Sequence, residues 1–493
     1  MGHTYRHAMK ATAVLSGAQV VEALMSIVRA KVIAVLLGPV GMALNSIFQT
    51  TVTTLYQFAS MGLSQSAVRD ISKAYQDGDA ASMHRVVAMF NKLMRPLALF
   101  SVVFCVVFSP LLSDLSFGTA DNHTADFIVL SIGSACILLS YANVTVLQST
   151  QRLLYLAKTT ILGAVISLAA SLPFYCLMGN KGVAWSISFG YLVTFLINSY
   201  YVKQLRLPKV SIPWRALWQE AAPMIKLGLI IMVSTIIINI FTYLTNVLLR
   251  YFGSLEDVGL YQAAYSLTNR NFAILSAALV ADYYPRLSGL ISNRLEFNKT
   301  VSEQGEMLLL VVSYVAMLLI VFAELAIHVL LSPKFMVVAL VVKLIAYSFV
   351  FHVMWLTLSY IALAKGDKKV YLVCDAIIGN GVYFLLNILF YKLWGINGLG
   401  ISAVVGSIFV SLLLLLVYGR RYDFHYGRGF WLVQLASVGF VSAFFAMEWL
   451  KSWSLAAYVV GVSLCGAAYS FYTYKALDKR IQISNFIKSK IRK

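Results

Sequence analysis

Polar side chains recur on one face of each of four apolar stretches of the sequence. Steps of three and four residues place side chains on the same face of a helix. In chain order, the four stretches carry Gln19, Glu22, Ser26 and Arg29; Asn45, Gln49 and Thr53; Asn239 and Asn246; and Gln262, Ser266 and Asn269. Because polar groups are costly in hydrocarbon, they normally face a bundle interior or a watery cavity. These four faces therefore predict a hydrated cavity.

Three basic residues on the same stretches, Arg29, Lys31 and Arg270, give the predicted cavity a cationic character. The guanidinium fork of arginine suits phosphate and carboxylate groups. The three residues therefore predict binding of an anionic substrate headgroup. Two other interpretations stay open. Glu22, two turns from Arg29 on one face, neutralises it through water or a neighbouring helix, or Lys31 extends outward to the membrane interface.

A carboxylate on a later apolar stretch, Asp375, is a further ionisable group predicted to lie in the membrane. Such groups mark ion pathways or proton relays in transport proteins. The sequence predicts coupling to a proton or sodium ion at Asp375 or at Glu22. The alternative for Asp375 is a cap at the cytoplasmic helix end, since Lys368 lies within two turns.

The elements that must position these residues are membrane-spanning helices. Of the 493 residues, 60% are hydrophobic and 12% charged, and the mean hydropathy is +0.79. A spanning helix needs roughly 20 mostly apolar residues. Such stretches lie near 11–37, 42–73, 87–113, 125–151, 155–178, 183–204, 222–251, 257–290, 302–332, 337–363, 369–393, 397–420, 430–450 and 453–476. We expect an all-α integral membrane protein of about fourteen transmembrane helices, without a separate catalytic domain.

The basic residues behind the net charge of +19 are distributed unequally between the two predicted sides of the membrane. Counted from a cytoplasmic N-terminus, most basic residues fall in loops on the cytoplasmic side, and the tail after Lys475 adds six more. This is the positive-inside asymmetry. It predicts that both termini are cytoplasmic, that the tail lies against anionic membrane lipids, and that nucleic acid is not a partner.

A sequence repeat divides the chain. The first copy contains Gly179, Gly182, Ser186 and Gly190, and at a constant offset the second contains Gly395, Gly398, Ser402 and Gly406. Two shorter matching segments, 156–158 and 363–365, both read Leu-Ala-Lys at predicted cytoplasmic turns. The predicted domains are a six-helix lobe at 1–205, a linker at 206–220, a second six-helix lobe at 221–421, two additional helices at 422–476 and a basic tail at 477–493. Parallel repeats of this kind place the working site between the halves.

The segment 29–49, RAKVIAVLLGPVGMALNSIFQ, resembles the first-helix signature of the Wzx-type O-antigen flippases of the polysaccharide transporter family. The similar features are Lys31, the Leu-Gly-Pro-x-Gly turn at 37–41, Gln49 and the basic end of the second helix at Arg69. The two halves, the linker and the two extra C-terminal helices also agree. The resemblance therefore covers essentially the whole chain.

The resemblance implies a fold and a function beyond what the residue pattern gives. Members of the wider multidrug/oligosaccharidyl-lipid/polysaccharide exporter (MOP) superfamily fold as two six-helix lobes in a V that opens alternately to either side. The implied function is to move undecaprenyl-diphosphate-linked oligosaccharide, an O-antigen unit for lipopolysaccharide, to the outer leaflet of the bacterial inner membrane. By analogy, Arg29, Lys31 and Arg270 hold the diphosphate or acidic sugars, and proton or sodium entry drives transport as in an antiporter. A polysaccharide polymerase and a chain-length regulator are the implied partners.

Other functions stay open beside this one. A lipid II flippase also has a cationic cavity and fourteen helices, whereas a multidrug or cation antiporter of the superfamily would favour acidic residues on the polar helices. A membrane oligosaccharide polymerase or glycosyltransferase would need a large outer loop or an acidic cytoplasmic motif, and neither occurs. No nucleotide-binding, nucleophile or metal-ligand motif is found, so neither an enzyme nor a metal or other cofactor is expected.

Overall fold

The computed structural model describes the backbone of residues 2–481, apart from positions 120, 209, 292, 449 and 453. Side chains are described from Gly17 onward, apart from those same positions and residues 76, 215–216, 230–231, 234–235, 270–271, 273–282, 284–285, 288, 368, 452, 477 and 479–481. Within this part of the chain the regular secondary structure is helical, and it contains no β-strand.

Seventeen α-helices cover most of the described chain. They are α1 (Gly2–Leu36), α2 (Gly38–Ser60), α3 (Leu63–Gln76), α4 (Ala80–Val107), α5 (Ser109–Phe117), α6 (Thr124–Ser149), α7 (Leu153–Met178), α8 (Gly182–Lys203), α9 (Trp214–Phe252), α10 (Leu255–Gly289), α11 (Arg294–Leu330), α12 (Ala339–Ala364), α13 (Lys368–Val370), α14 (Asn380–Trp394), α15 (Ile396–Tyr422), α16 (Arg428–Met447) and α17 (Leu455–Ile481). A π-helix (Tyr371–Gly379) joins α13 to α14.

Each of the fourteen predicted stretches overlaps a helix, but two of them are broken. Met61 and Gly62 have left-handed φ angles of 50° and 65°, which end α2 before α3 begins. Pro110, at the start of α5, separates that short helix from α4 because its ring cannot continue a helix interior. Within the described residues, nine helical segments are long and apolar enough to cross a membrane. The all-α membrane fold is thus confirmed, and the number fourteen stays a prediction.

The glycine repeat has the same local geometry in both copies. Gly179 and Gly395 have φ angles of 56° and 58° and end α7 and α14. Each donates its N–H to the carbonyl of the tyrosine four residues earlier, Tyr175 or Tyr391. Gly182 and Gly398 then lie so close to the carbonyls of Phe174 and Phe390 that a Cβ would overlap them. Only glycine gives this tight helical hairpin, so the repeated glycines serve the same turn.

The two Leu-Ala-Lys segments are not equivalent in the structure. Residues 156–158 lie in the first turns of α7, after the chain has reversed direction. Residues 363 and 364 instead end α12, and Lys365 is its C-cap. The two Leu-Ala-Lys segments therefore lie on opposite sides of a turn. They match in sequence but do not occupy equivalent positions in the fold.

The residues group into two compact units, each with its own core. Unit 1 comprises Met1–Ala263 and His328–Phe335; unit 2 comprises Ala264–Ile327 and Met336–Lys493. In unit 1, α1 packs on α7, α6 on α8, and α9 on α2 and α3. In unit 2, α12 and α14 pack on α15, and α16 packs on α17. The predicted domain boundaries, including the linker at 206–220, stay predictions.

The predicted linker region is attached to α4 inside unit 1. Arg85 donates two hydrogen bonds to the Glu220 carboxylate, at 2.6 and 2.8 Å, and Lys92 donates to the Ile212 carbonyl at 2.6 Å. The ammonium of Lys92 also lies 4.5 Å from the centre of the Trp214 ring. These contacts connect the end of the segment before α9 and the first turns of α9 to the predicted cytoplasmic end of α4.

We expect Glu220→Gln to increase trypsin cleavage at the exposed Arg206 about two- to fivefold, because an exposed ion pair contributes little. The hydrogen bond from Arg85 lowers the pKa of Glu220. The pair therefore stabilises the fold above the unfolded carboxyl pKa of about 4.3, and this is lost as the pH falls through the lower folded value. The ratio of the trypsin cleavage rates of the parent and of Glu220→Gln should therefore stay constant between pH 6 and 8. A ratio that changes over this range would contradict a stabilising ion pair between Arg85 and Glu220.

Four charged side chains connect the last two helices to the rest of unit 2. Lys343 on α12 is 8% exposed and lies between Glu324 on α11, at 3.1 Å, and Glu448 after α16. Lys451 pairs with the second oxygen of Glu324 at 2.6 Å, and Tyr458 on α17 donates to Glu448 at 2.8 Å. Charges balance within this cluster, so its residues hold the helices together rather than offering a free charge to a ligand.

Removing the buried cation should destabilise the protein strongly. We expect Lys343→Met to lower the free energy of unfolding by about 3–5 kcal/mol, since it leaves the largely enclosed Glu448, whose side chain is 13% exposed, without its charge partner. The double variant Lys343→Met/Glu448→Leu should recover most of that loss. Unfolding in detergent measures both, with the exposed Lys181→Met as control. A single variant as stable as the control would show that Lys343 does not hold this cluster together.

Candidate functional site

Arg29 lies on α1 against α7, where its Nη2 donates to the Ser167 hydroxyl at 2.8 Å. Its Nε is buried and has no hydrogen-bond partner among the described residues. Tyr175 and Tyr191 lie within electrostatic range of the guanidinium. No ion pair joins Arg29 to Glu22, which is exposed. Arg29 therefore makes no direct ion pair with Glu22, and neutralisation through water or a neighbouring helix stays an alternative.

Lys31, two residues further along α1, points to a different place. Its ammonium donates to the His328 carbonyl at 3.1 Å, at the C-terminal end of α11. A cation at this position is favourable, because the carbonyls in the last turn of a helix carry partial negative charge. The structure thus separates Lys31 from the group around Arg29. Arg270 is part of α10, but its side chain lies outside the described residues.

On the polar faces of the first two helices, some side chains hydrogen-bond to backbone carbonyls of their own helix. Ser26 donates to the Ala23 carbonyl at 3.0 Å, and Thr53 to the Gln49 carbonyl at 2.9 Å. Gln49 is half-buried, and the Oδ1 of Asn45 is buried without a partner in the described part. The hydroxyls therefore need no ligand, while the amides of Asn45 and Gln49 keep hydrogen-bonding capacity.

The second pair of predicted polar helices contributes an amide pair within unit 1. Asn246 on α9 is fully buried and accepts a hydrogen bond from Gln262 on α10 at 2.6 Å. The Nδ2 of Asn246 has no partner among the described side chains. Asn239, Ser266 and Asn269 are half-buried. The predicted polar faces exist, and their joining into one hydrated cavity stays a prediction.

Asp375 lies in the π-helix and is held by neutral donors from α12. The Trp355 Nε1 and the Ser359 hydroxyl both donate to its Oδ1. Oδ2 accepts no hydrogen bond from the described side chains, and no described cation pairs with the carboxylate. The amide of Asn380 donates at 3.3 and 3.0 Å to the carbonyls of Asp375 and Ala376, inside the widened turn. π-Helical turns are frequent at functional sites.

Sequence patterns did not reveal the partners Ser167, Trp355 and Ser359. Each lies on a helix other than that of the charge it contacts, 16 to 138 residues away. One signal was present for Ser167: the repeat offset pairs it with Tyr383, and both pack against equivalent glycines, Gly190 and Gly406. Among the described residues, no three His, Cys, Asp or Glu side chains are placed to hold a metal ion.

Solved structures of membrane transport proteins share this fold. The lipid II flippase MurJ, in an inward closed conformation, matches with a TM-score of 0.71 at 13% identity, over 96% of this chain and 99% of that chain. An inward-facing multidrug resistance MATE transporter of the MOP superfamily matches with a TM-score of 0.68 at 15% identity, over 82% and 94%. This chain therefore has the same fold as these two membrane proteins.

The particular family follows from the sequence. The model of the polysaccharide biosynthesis protein family matches residues 8–291, and the chain belongs to that family. A comparison with curated proteins found no match. The family match agrees with the predicted resemblance to polysaccharide-related proteins, and the two solved structures confirm the predicted all-α fold.

Proposed function

We propose that this protein moves undecaprenyl-diphosphate-linked O-antigen or similar polysaccharide repeat units from the inner to the outer leaflet of the bacterial inner membrane. Both termini are cytoplasmic in this proposal, and transport occurs by alternating access of two lobes. The observation that carries it is Arg29, whose buried Nε has no partner in the described part of the chain. Membership of the polysaccharide biosynthesis protein family supports the same substrate class.

The environment of Arg29 suits a diphosphate. An arginine in hydrocarbon is costly unless it finds a counter-charge, and the groups around it, Ser167, Tyr175 and Tyr191, are all neutral. A diphosphate supplies the missing negative charge and accepts paired hydrogen bonds from a guanidinium. The amides of Asn45 and Gln49 provide hydrogen bonds of the kind that sugar hydroxyls make. Lys31 and Arg270 stay proposed as further headgroup ligands.

The same proposal assigns ion coupling to Asp375, with Glu22 as the second candidate. In Asp375 both neutral donors occupy Oδ1, and Oδ2 is left for a proton or a sodium ion. Glu22 is exposed on α1. A carboxylate held in the membrane without a cationic partner can exchange an ion with either side as its access changes. Polymerase and chain-length regulator partners belong to the proposal as well.

Complementation tests this function. The full chain is expressed in a bacterium that lacks its O-antigen flippase, and surface O-antigen is measured with an antibody. Restoration supports the proposal. A parallel strain depleted of its lipid II flippase tests the alternative substrate, and growth of that strain without O-antigen rescue would replace the proposed substrate by lipid II. Increased drug resistance with neither rescue would favour the antiporter alternative.

A further inference from the structure

Two glycines of unit 1 bring helix backbones into direct contact. Gly228 on α9 faces the break between α2 and α3, where an added Cβ would lie 2.5 Å from the Met61 carbonyl oxygen and 3.0 Å from the Gly62 carbonyl carbon. Gly259 on α10 faces the start of α2, where an added Cβ would overlap the Pro39 carbonyl. Backbone atoms cannot rotate away as a side chain does, so a methyl group at either position forces the helices apart.

The two contacts bracket the membrane. Pro39 is the second residue of α2 and Met61 directly follows its last residue. The two contacts are therefore about 33 Å apart at the rise of an α-helix. A bilayer core is about 30 Å thick. In the predicted orientation, the contact of Gly228 lies at the cytoplasmic face and that of Gly259 at the outer face.

Reversible polar contacts accompany each glycine. On the N-terminal side of Gly228 they are the Arg85–Glu220 ion pair, about two helical turns earlier on α9, and the hydrogen bond from Lys92 to Ile212 before that helix. At the other face, Lys31 donates to the His328 carbonyl, and Ser332 donates to the Ala34 carbonyl at 3.3 Å. These contacts involve exposed or carbonyl groups, which form and break at small cost in free energy.

We propose that Gly228 and Gly259 are the two closure contacts of the transport cycle, each sealing one membrane face, and that Lys31 acts as a latch at the outer one. The inference rests on the proposed function only in taking closure to alternate. When the inner face opens, α9 separates from the Met61–Gly62 break while Gly259 stays against Pro39. When the outer face opens, the reverse occurs. Glycine is required at both positions because closure brings backbone against backbone.

Accessibility labelling in the full chain tests this inference. A Gln49→Cys reporter lies on α2 between the two contacts, in a background where the more accessible Cys176 and Cys465 are replaced by serine. A membrane-impermeant maleimide is applied to spheroplasts for the outer face and to inverted vesicles for the inner face. Gly228→Ala should raise the inner labelling rate about tenfold, and Gly259→Ala should raise the outer rate to a similar extent, because overpacking shifts the equilibrium toward the open state.

The matched control is Gly17→Ala, a helical glycine with no heavy atom within 4 Å of an added Cβ. It should label like the parent from both faces. The inference would be overturned if Gly228→Ala and Gly259→Ala had the thermal stability of the parent and labelled at the parent's rate from both faces. It would also be overturned if both variants raised the labelling rate at the same face.

A second measurement needs no glycine variant. Spin labels at Arg85→Cys and Glu220→Cys report the distance across the inner contact, and labels at Leu36→Cys and Glu256→Cys report the outer one. Each pair should show a short and a long distance component, and a single narrow component at both pairs would overturn the inference. The labelling and distance readouts need no substrate. Opposite labelling changes, together with failure of the parent chain without the reporter to restore O-antigen, would therefore reject the proposed function and keep the closure contacts.

Discussion

Arg29→Ala is expected to reduce the rate of O-antigen export about 100-fold or more at matched membrane abundance. The substitution removes the cation and the hydrogen bonds that we propose it makes to the substrate, and charge-assisted hydrogen bonds contribute roughly 1.5–3 kcal/mol each. The substitution should change the stability of the protein without substrate only slightly, since Arg29 makes one hydrogen bond, to Ser167, and no ion pair among the described residues. The measurement is the initial rate at which surface O-antigen appears after induction.

Two further variants sharpen this test. Arg29→Lys keeps the charge but loses the paired donors, so it should retain part of the export rate. Arg69→Ala is the control, because this arginine is exposed and pairs only with its neighbour Asp70 at 2.8 Å among the described residues. If Arg29→Ala exports O-antigen as fast as Arg69→Ala, the guanidinium does not bind substrate. Arg270→Ala, made in parallel, tests the other arginine by the same measurement.

Local sequence features predicted the helices well because helix formation in a membrane depends on local properties. Twenty apolar residues satisfy their own backbone hydrogen bonds in lipid, whatever the rest of the chain does. The breaks were harder to predict. Gly62 lies inside a predicted helical stretch, has a left-handed φ of 65° and packs against Gly228, which is distant in sequence. A glycine in such a stretch does not reveal which helix it will contact.

The candidate site was predictable as a set of polar faces, but not as a set of partners. Helical spacing placed Glu22 and Arg29 on one face and left open whether Arg29 binds substrate or is neutralised by Glu22. In the structure Glu22 is exposed and Arg29 donates to Ser167, a partner that the spacing could not predict. Likewise, Lys31 is separated by 297 positions from the His328 carbonyl that it contacts. Such pairings depend on how helices cross, which periodicity within one helix does not contain.

Asp375→Asn should abolish ion-coupled transport while leaving the fold intact. The amide has the size of the carboxylate, and its carbonyl oxygen still accepts from Trp355 and Ser359, both of which donate to Oδ1. It cannot take up and release a proton, and it has no charge with which to hold sodium. We therefore expect at least about a tenfold loss of substrate-driven proton or sodium flux in proteoliposomes, since an ion coupling site needs a group that changes its charge.

The choice of controls decides what a loss in Asp375→Asn means. Asp114→Asn changes an exposed carboxylate and should leave flux unchanged. Asp375→Glu keeps a titratable group and should retain part of the flux, which a purely structural role for the carboxylate would not predict. Glu22→Gln tests the other candidate. Both donors bind Oδ1, so Asp375→Asn keeps their hydrogen bonds. If this variant loses ion flux while its thermal unfolding matches that of the parent, the coupling is assigned to the unpaired Oδ2. If Asp375→Asn keeps the ion flux of the parent and Glu22→Gln loses it, the coupling carboxylate is Glu22 on α1.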